Sequence, residues 1–546
     1  MLKVRQKETA SMLTRDGVRL DADIYRPSCE GEFPVLLMRQ PYGRAIASTV
    51  VYAHPTWYAA QGYIVVIQDV RGRGTSQGEF KLFSHEIEDG EDAVNWAAKL
   101  PGSNAKVGMY GFSYQGMTQL YAAVSKPPAL KTICPAMIGY DLYADWAYEG
   151  GAFCLAANLG WAIQLAAETA RLRGDETAYQ ALFTASRNLP LNDAIPANPE
   201  TLKKFAPDSF YYEWLAHPKP CEYWEKLSPK TYLQDVDLPM LHIGGWFDTF
   251  IRGTIHLYKE MAARSTYNQH LIIGPWAHLP WCRQVGTVDY GKAAESPIDW
   301  LQVRWFDQIL KDVDTGLFKE PPISLFEMGS NKWRLFDSWP GDNHKSYFLA
   351  STGLASIRES EGKLTDSLPE NCPSDVLVHD PWRPVPALGG HASMPSGSFE
   401  RSPLDYRSDI LTYTSEPLTA DLHLAGDVTV EIYCTADTRS HDLSAVLCEV
   451  YPNGKSYNLT QGYLHIEFSQ HEPLTIQLQA TCVRIAKGNA LRLSLSAACF
   501  PAYPVNPGTG SPVNTTSLMD AQIITLTVNC GGDFPSQVLL PVVSAF

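Results

Sequence analysis

Gly111-Phe112-Ser113-Tyr114-Gln115-Gly116 follows the apolar run Val107-Gly108-Met109-Tyr110 and precedes Met117-Thr118-Gln119-Leu120-Tyr121-Ala122-Ala123-Val124, a segment of helical character. The spacing predicts a strand, a sharp turn at Ser113 and a helix. A residue at such a turn is held in a strained backbone conformation. Strand and helix then approach closely, and side chains at the flanking glycines would collide. The serine hydroxyl stands exposed above the sheet, with the first amides of the helix aimed at the same point. That is the geometry of an activated nucleophile. An ordinary Gly/Ser turn gives the same string, so the rest of the chain must supply partners.

Two partners occur in the expected order, acid before base. Leu238-Pro239-Met240-Leu241-His242-Ile243-Gly244-Gly245-Trp246 reads as a buried strand, followed at once by Phe247-Asp248. His270-Leu271-Ile272-Ile273-Gly274 reads as the next strand and leads into Pro275-Trp276-Ala277-His278. A helical segment from Arg252 to about Ala263 lies between. Asp248 and His278 therefore fall beyond the C-terminal ends of successive strands, where open α/β sheets bind their ligands. The alternatives are a helix N-cap for Asp248 and a structural loop residue for His278. His242, His256 and His270 fail on position, being inside a strand, mid-helix and at a strand start; Asp235 and Asp237 precede their strand.

These motifs resemble the cocaine esterase/X-prolyl dipeptidyl-peptidase group of serine hydrolases, which includes α-amino-acid ester hydrolases and glutaryl acylases. The resemblance is carried by Arg39-Gln40-Pro41-Tyr42-Gly43, Gln68-Asp69-Val70-Arg71-Gly72-Arg73-Gly74, the Ser113 turn, Gly244-Gly245-Trp246-Phe247-Asp248, Gly274-Pro275-Trp276-Ala277-His278 and Asn506-Pro507-Gly508-Thr509-Gly510. Size and layout are most similar to cocaine esterase-like proteins. One departure from the general Gly-x-Ser-x-Gly signature fits the group: glycine comes at Gly116, three residues after the serine, with Gln115 between. The resemblance implies an α/β-hydrolase fold with a helical cap insertion and a C-terminal all-β jelly roll. It implies Ser113, Asp248 and His278 as catalytic triad, and the Tyr42 hydroxyl with the Tyr114 amide as oxyanion hole. Tyr42 also follows a strand-like run, so it too sits at a strand's C-terminal end; the alternative is packing under Pro41. Trp146, Trp161 and Phe250 would line an acyl pocket, or else form cap core. Asp145 and Glu149 flank Trp146 and would either bind a substrate amine or be solvated.

Composition bounds the answer. The chain has 546 residues, 45% hydrophobic and 19% charged, with a net charge of −15 and no basic cluster. This fits a globular protein of several domains and argues against nucleic acid or an anionic membrane as partner. Eleven scattered cysteines without a CxxC pair suggest reduced, buried thiols rather than disulfides or a zinc site. No signal-peptide pattern, 18-residue apolar segment, metal spacing or dinucleotide fingerprint is visible. The expected location is cytoplasmic, with no cofactor and no metal. The expected partner is a small-molecule ester, and a homodimer is left open.

Strand and helix alternate to about Gly139, with strands expected at 18–25, 34–39, 63–69, 106–110 and 130–134 and a helix at 87–100. Strand character disappears over 141–237, where 160–173 and 176–187 are helical. It resumes at 238–244, 270–274 and 322–328, the last strand expected in the sheet. A helix capped by Ser296, with Pro297 first inside and the acid Asp299 at its third position, precedes it. From about Pro340 alternation at 428–433, 444–451, 475–478 and 491–495 marks an antiparallel sandwich, which contains a long Pro/Gly-rich loop, 380–397. The expected domains are 1–140 with 238–340 (catalytic), 141–237 (cap) and 341–546 (β-sandwich). Three functions follow. The first is a serine hydrolase cleaving carboxylic (acyl) esters through an acyl-enzyme. The second is an X-prolyl dipeptidyl aminopeptidase, amino-ester hydrolase, acylase or biosynthetic acyltransferase. The third is a catalytically silent binding protein.

Overall fold

The computed structural model describes residues 1–45, 47–341, 343–467 and 472–545. The central sheet contains β1 (Glu8–Leu13), β2 (Arg19–Tyr25), β3 (Phe33–Gln40), β4 (Ile64–Asp69), β5 (Ser103–Phe112), β6 (Leu130–Ala136), β7 (Met240–Phe247), β8 (Gln269–Ala277), β9 (Ile323–Glu327) and β10 (Lys332–Phe336). The longer helices are α1 (Glu86–Ala98), α2 (Tyr114–Val124), α3 (Leu155–Arg173), α4 (Glu176–Arg187), α5 (Ile251–Arg264) and α6 (Ile298–Leu310). Strand order is β1-β2-β4-β3-β5-β6-β7-β8-β9-β10. Pairing is parallel from β4 to β9 and antiparallel at both margins.

The two-residue period of a strand sorts the core into layers. Val35, Leu37, Val66 and Met109 pack with Ala93, Val94 and Ala97 of α1 and with Met117 and Leu120 of α2. The intervening Leu36, Met38, Val65, Ile67 and Tyr110 face the other way, against Trp305, Phe306 and Leu310 of α6. Both faces are covered, so β4, β7 and β8 are buried at every position. This is why they read as continuous apolar runs.

The sheet is longer than expected at both margins. β1 is unannounced because its ETASML sequence is mostly exposed, and β10 forms a hairpin with β9, where 322–328 was expected to close the sheet. The α6 cap also differs. Pro297 occupies the cap position, while Ser296 Oγ accepts from Ile298 N at 3.4 Å. Asp299 is drawn off by tertiary partners, accepting from Ala53 N at 2.9 Å and from the Tyr58 hydroxyl.

Segment 141–237 carries α3, α4 and shorter helices, together with a small hairpin pairing Tyr148–Glu149 with Ala152–Phe153. The C-terminal part is all-β apart from short helical turns. Strands such as Thr429–Ala436 and Ile524–Asn529 alternate buried and half-buried residues, whereas His441–Val450 is buried almost throughout. This part is not a detached module. Met328, just past β9, bridges to Val483, and Glu327 binds His423 at 2.8 Å and Arg334 at 2.8 Å. Ile251 and Ile273 share one core with Leu424, Ile476 and Leu493. Of the cysteines, Cys29 is exposed and Cys221, Cys282 and Cys372 are half-buried; the others are buried, and none is in a disulfide. No helix among the described residues is long and apolar enough to cross a membrane.

Candidate active site

Four strands deliver four side chains to one end of the sheet. β3 runs on to Tyr42, β5 to Ser113, β7 to Asp248 and β8 to His278. Tyr42, Ser113 and His278 line a cleft of about 1180 Å³, together with Trp146, Trp161 and Phe250.

Ser113 adopts φ 58° and ψ −127°, a conformation that persists only when its surroundings enforce it. Two glycines permit that. A Cβ at Gly111 would lie 2.4 Å from Gln115 Cβ, and one at Gly116 would lie 2.3 Å from Ile138 Cγ2 and 2.9 Å from Ala136 O. The turn is pinned by Ser113 N donating to Ala136 O at 2.9 Å. Tyr114 is the first residue of α2, so its N–H has no carbonyl within the helix to bind. Its side chain is held beneath. The phenol donates to Glu86 Oε1 at 2.8 Å and the ring stacks on Phe83 at 4.8 Å. Glu86 pairs with buried Arg39 at 2.6 Å, and Arg39 donates to Gln68 at 2.9 Å. The Arg39-Gln40 and Gln68-Asp69 motifs are thus structural supports. They fasten the turn to β3, β4 and α1, while Gln40 Oε1 accepts the Tyr42 N–H at 2.7 Å.

Asp248 is fully buried and its Oδ1 lies 2.7 Å from His278 Nδ1; His278 itself is about one-quarter exposed, at 26%. Asp248 does not cap α5, since Phe250 holds that position. The His278 ring meets Phe250 edge-on at 5.1 Å and lies 5.4 Å from Phe112. No hydrogen bond joins Ser113 Oγ to His278 among the described residues. Such catalytic bonds tighten as substrate is engaged.

The Tyr42 phenol accepts from Trp161 Nε1 at 3.0 Å. Burial pushes its pKa up to about 12, against the opposing effects of the Trp161 hydrogen bond and the Arg73 charge. At ordinary pH it is a neutral hydrogen-bond donor. Trp146 packs on Phe250 at 4.0 Å and on Trp161 at 5.1 Å, and Trp161 continues to Phe210 at 5.0 Å. These aromatics therefore serve the cleft with one face and cap packing with another.

Sequence reasoning misses one wall of the cleft. His391, Ala392, Ser393, Met394 and Pro395 reach it from the C-terminal loop. The available signal was the length of that loop, because long irregular loops in compact domains are commonly functional. Of the two readings of the cap acids, solvation does not hold, since both are buried. Asp145 accepts from Asp141 N at 2.7 Å and pairs with His256 at 3.2 Å. Glu149 is buried against Arg252 at 2.8 Å, His391 at 2.8 Å, Gln479 at 3.0 Å and the Tyr503 hydroxyl.

That cluster joins the cap, α5 and the C-terminal loop. Desolvation alone would raise the Glu149 pKa, but Arg252, His391 and Tyr503 outweigh it and bring it down to about 2. A carboxyl with a lowered folded pKa stabilises above its unfolded value, and the contribution fades as pH falls toward the folded one. Glu149→Gln should therefore destabilise the fold at pH 7, by about 3–5 kcal/mol if Arg252 is left unpaired. Thermal melts should show the gap to wild type narrowing from pH 4.5 downward; a gap independent of pH would contradict the assignment.

A strained serine turn, a histidine–aspartate pair and a mainly parallel, helix-covered sheet define a hydrolase of the α/β type. Residues 16–280 match the family model X-Pro dipeptidyl-peptidase (S15 family), and residues 315–539 match the X-Pro dipeptidyl-peptidase C-terminal non-catalytic domain. Cocaine esterase of Rhodococcus sp. (strain MB1 Bresler) is 29% identical over 97% of this chain and 97% of its own. Two solved structures share the fold. One is an aminopeptidase from the marine sediment archaeon Thaumarchaeota archaeon (TM-score 0.82, 22% identity, 99% of this chain and 96% of that one). The other is an α-amino acid ester hydrolase (TM-score 0.78, 23% identity, 98% and 97%). The chain belongs to the cocaine esterase/X-Pro dipeptidyl-peptidase family of serine hydrolases.

Proposed function

We propose that the protein hydrolyses carboxylic esters through an acyl-enzyme. Ser113 attacks the ester carbonyl while His278 Nε2 removes its proton; Asp248 fixes the imidazole through Nδ1 and stabilises the cation that forms. The Tyr42 hydroxyl and the Tyr114 amide donate to the tetrahedral oxyanion. His278 returns the proton to the leaving alcohol and then activates the water that releases the acid. Trp146, Trp161 and Phe250 present flat apolar surface to the acyl group. The observation that carries this reading is the convergence of Ser113, His278 and Tyr42 on one cleft, with Asp248 behind the imidazole at 2.7 Å.

Esters without a charged amine fit best, because Asp145 and Glu149, the acids nearest Trp146 in sequence, are engaged by protein partners. The cocaine esterase relative supports the same choice. The test is turnover of 4-nitrophenyl acetate and butyrate beside an Xaa-Pro 4-nitroanilide, with a fluorophosphonate probe mapped by mass spectrometry. The expected result is ester turnover far exceeding anilide turnover, with the probe on the peptide containing Ser113. Faster anilide cleavage, or a label on another serine, would overturn the reading.

A further inference from the structure

We propose that Trp161 is a positioning residue for the oxyanion hole: its indole N–H, donated to the Tyr42 oxygen, turns the phenolic hydrogen toward the reacting carbonyl. This rests on the reading of Tyr42 as an oxyanion donor and assigns Trp161 a second role besides its place in the acyl pocket.

A phenol carries one hydrogen, free to rotate, and an oxygen that accepts. Indole nitrogen is a donor only. With Trp161 Nε1 at 3.0 Å from the Tyr42 oxygen, the phenolic hydrogen cannot usefully point at the indole and must turn elsewhere. Tyr42 and Ser113 line the same cleft, the side of the phenol left open once Trp161 occupies the other. The hydroxyl rotor is therefore set toward the reaction centre before substrate arrives. Preorganisation of that kind makes a hydrogen-bond donor effective in catalysis, since nothing has to reorient as charge develops. Accepting a hydrogen bond also polarises the phenolic O–H and makes it a stronger donor.

The indole is fixed in the orientation this requires. Its ring packs on Trp146 at 5.1 Å, on Phe210 at 5.0 Å and on Phe83 at 6.4 Å. One turn further along α3, Leu165 O accepts from Arg73 Nη1 at 3.3 Å. Arg73 itself is buried against the Phe80 ring at 3.8 Å. The turn after β4 thus holds the helix that presents Trp161. Face and edge of one side chain divide the work, the face toward the acyl group and the N–H toward the phenol.

That division is testable because the two functions can be removed separately. Trp161→Phe keeps an aromatic face and deletes the N–H. Benzothienylalanine at position 161 deletes only the N–H, with the bicyclic shape retained, and covers the case in which the phenylalanine variant folds poorly. Both replacements should lower kcat for 4-nitrophenyl butyrate about five- to tenfold, as expected for one hydrogen bond, with KM within about twofold. In a Tyr42→Phe background, where no hydroxyl remains to orient, the same replacements should change kcat by less than about twofold. Unchanged kcat with raised KM would leave Trp161 as acyl-pocket surface alone and overturn the proposal. Equal losses in both backgrounds would overturn it as well. Tyr42→Phe by itself leaving kcat intact is a different failure: it removes the oxyanion assignment on which the proposal stands.

Discussion

Ser113→Ala abolishes turnover while leaving the fold intact: kcat for 4-nitrophenyl butyrate is expected to fall by about 10⁶, and fluorophosphonate labelling to disappear. Alanine keeps the Cβ that the turn already accommodates at φ 58°, and the close approaches at Gly111 and Gly116 are untouched. Backbone bonds pin the turn, from Ser113 N to Ala136 O and from Gly116 N and Met117 N to Ser113 O, each at 2.9 Å. None needs the hydroxyl. The melting temperature should stay within about 2 °C of wild type, as for a change costing no more than about 1 kcal/mol. Residual catalysis of about 10³–10⁴ over water can persist from the oxyanion donors and binding alone, so the control is the labelling experiment rather than a search for zero activity. Continued labelling, or a loss of kcat below about tenfold, would place the nucleophile elsewhere.

How much of this was legible in the sequence depends on where the physical constraint lies. The Ser113 turn was legible because its cause is local: the steric demand of a strand folding back on a helix falls on Gly111 and Gly116, whatever surrounds them. The fully buried β4, β7 and β8 were legible for a similar reason, since burial on both faces leaves an uninterrupted apolar run. β1 and β10 were not, because an edge strand exposed on one side carries a diluted pattern, and the ETASML of β1 reads as loop. Asp299 was read as a helix-start residue, but its carboxylate binds Ala53 N and Tyr58 across the chain. Glu149 was misread on the same principle. Nothing adjacent to it in sequence announces Arg252, His391, Gln479 and Tyr503, which come from four distant segments. The wall formed by His391 to Pro395 is likewise contributed by a loop whose own sequence has no periodicity to read.

Asp248→Asn is the second large effect, and its direction follows from an asymmetry between the two carboxylate oxygens. Oδ1 faces His278 Nδ1 at 2.7 Å, whereas Oδ2 is buried with no hydrogen-bond partner among the described residues. An asparagine can enter in two orientations. Its carbonyl toward His278 would preserve the productive tautomer, but would bury the NH₂ where Oδ2 finds no partner, at a cost of about 1–3 kcal/mol. Its NH₂ toward His278 satisfies that donor by making Nδ1 the acceptor. The second orientation is favoured, and it moves the imidazole proton to Nε2, the nitrogen that must accept from Ser113. The substitution should therefore lower kcat by about 10⁴, with KM little changed and the fold retained. It should be at least as damaging as Asp248→Ala, which leaves the ring free to sample both tautomers. The ¹⁵N chemical shifts of His278 would report the proton on Nε2 in the asparagine variant and on Nδ1 in the wild type. A variant that kept the proton on Nδ1, or retained more activity than Asp248→Ala, would show that Asp248 acts by charge alone and not by fixing the tautomer.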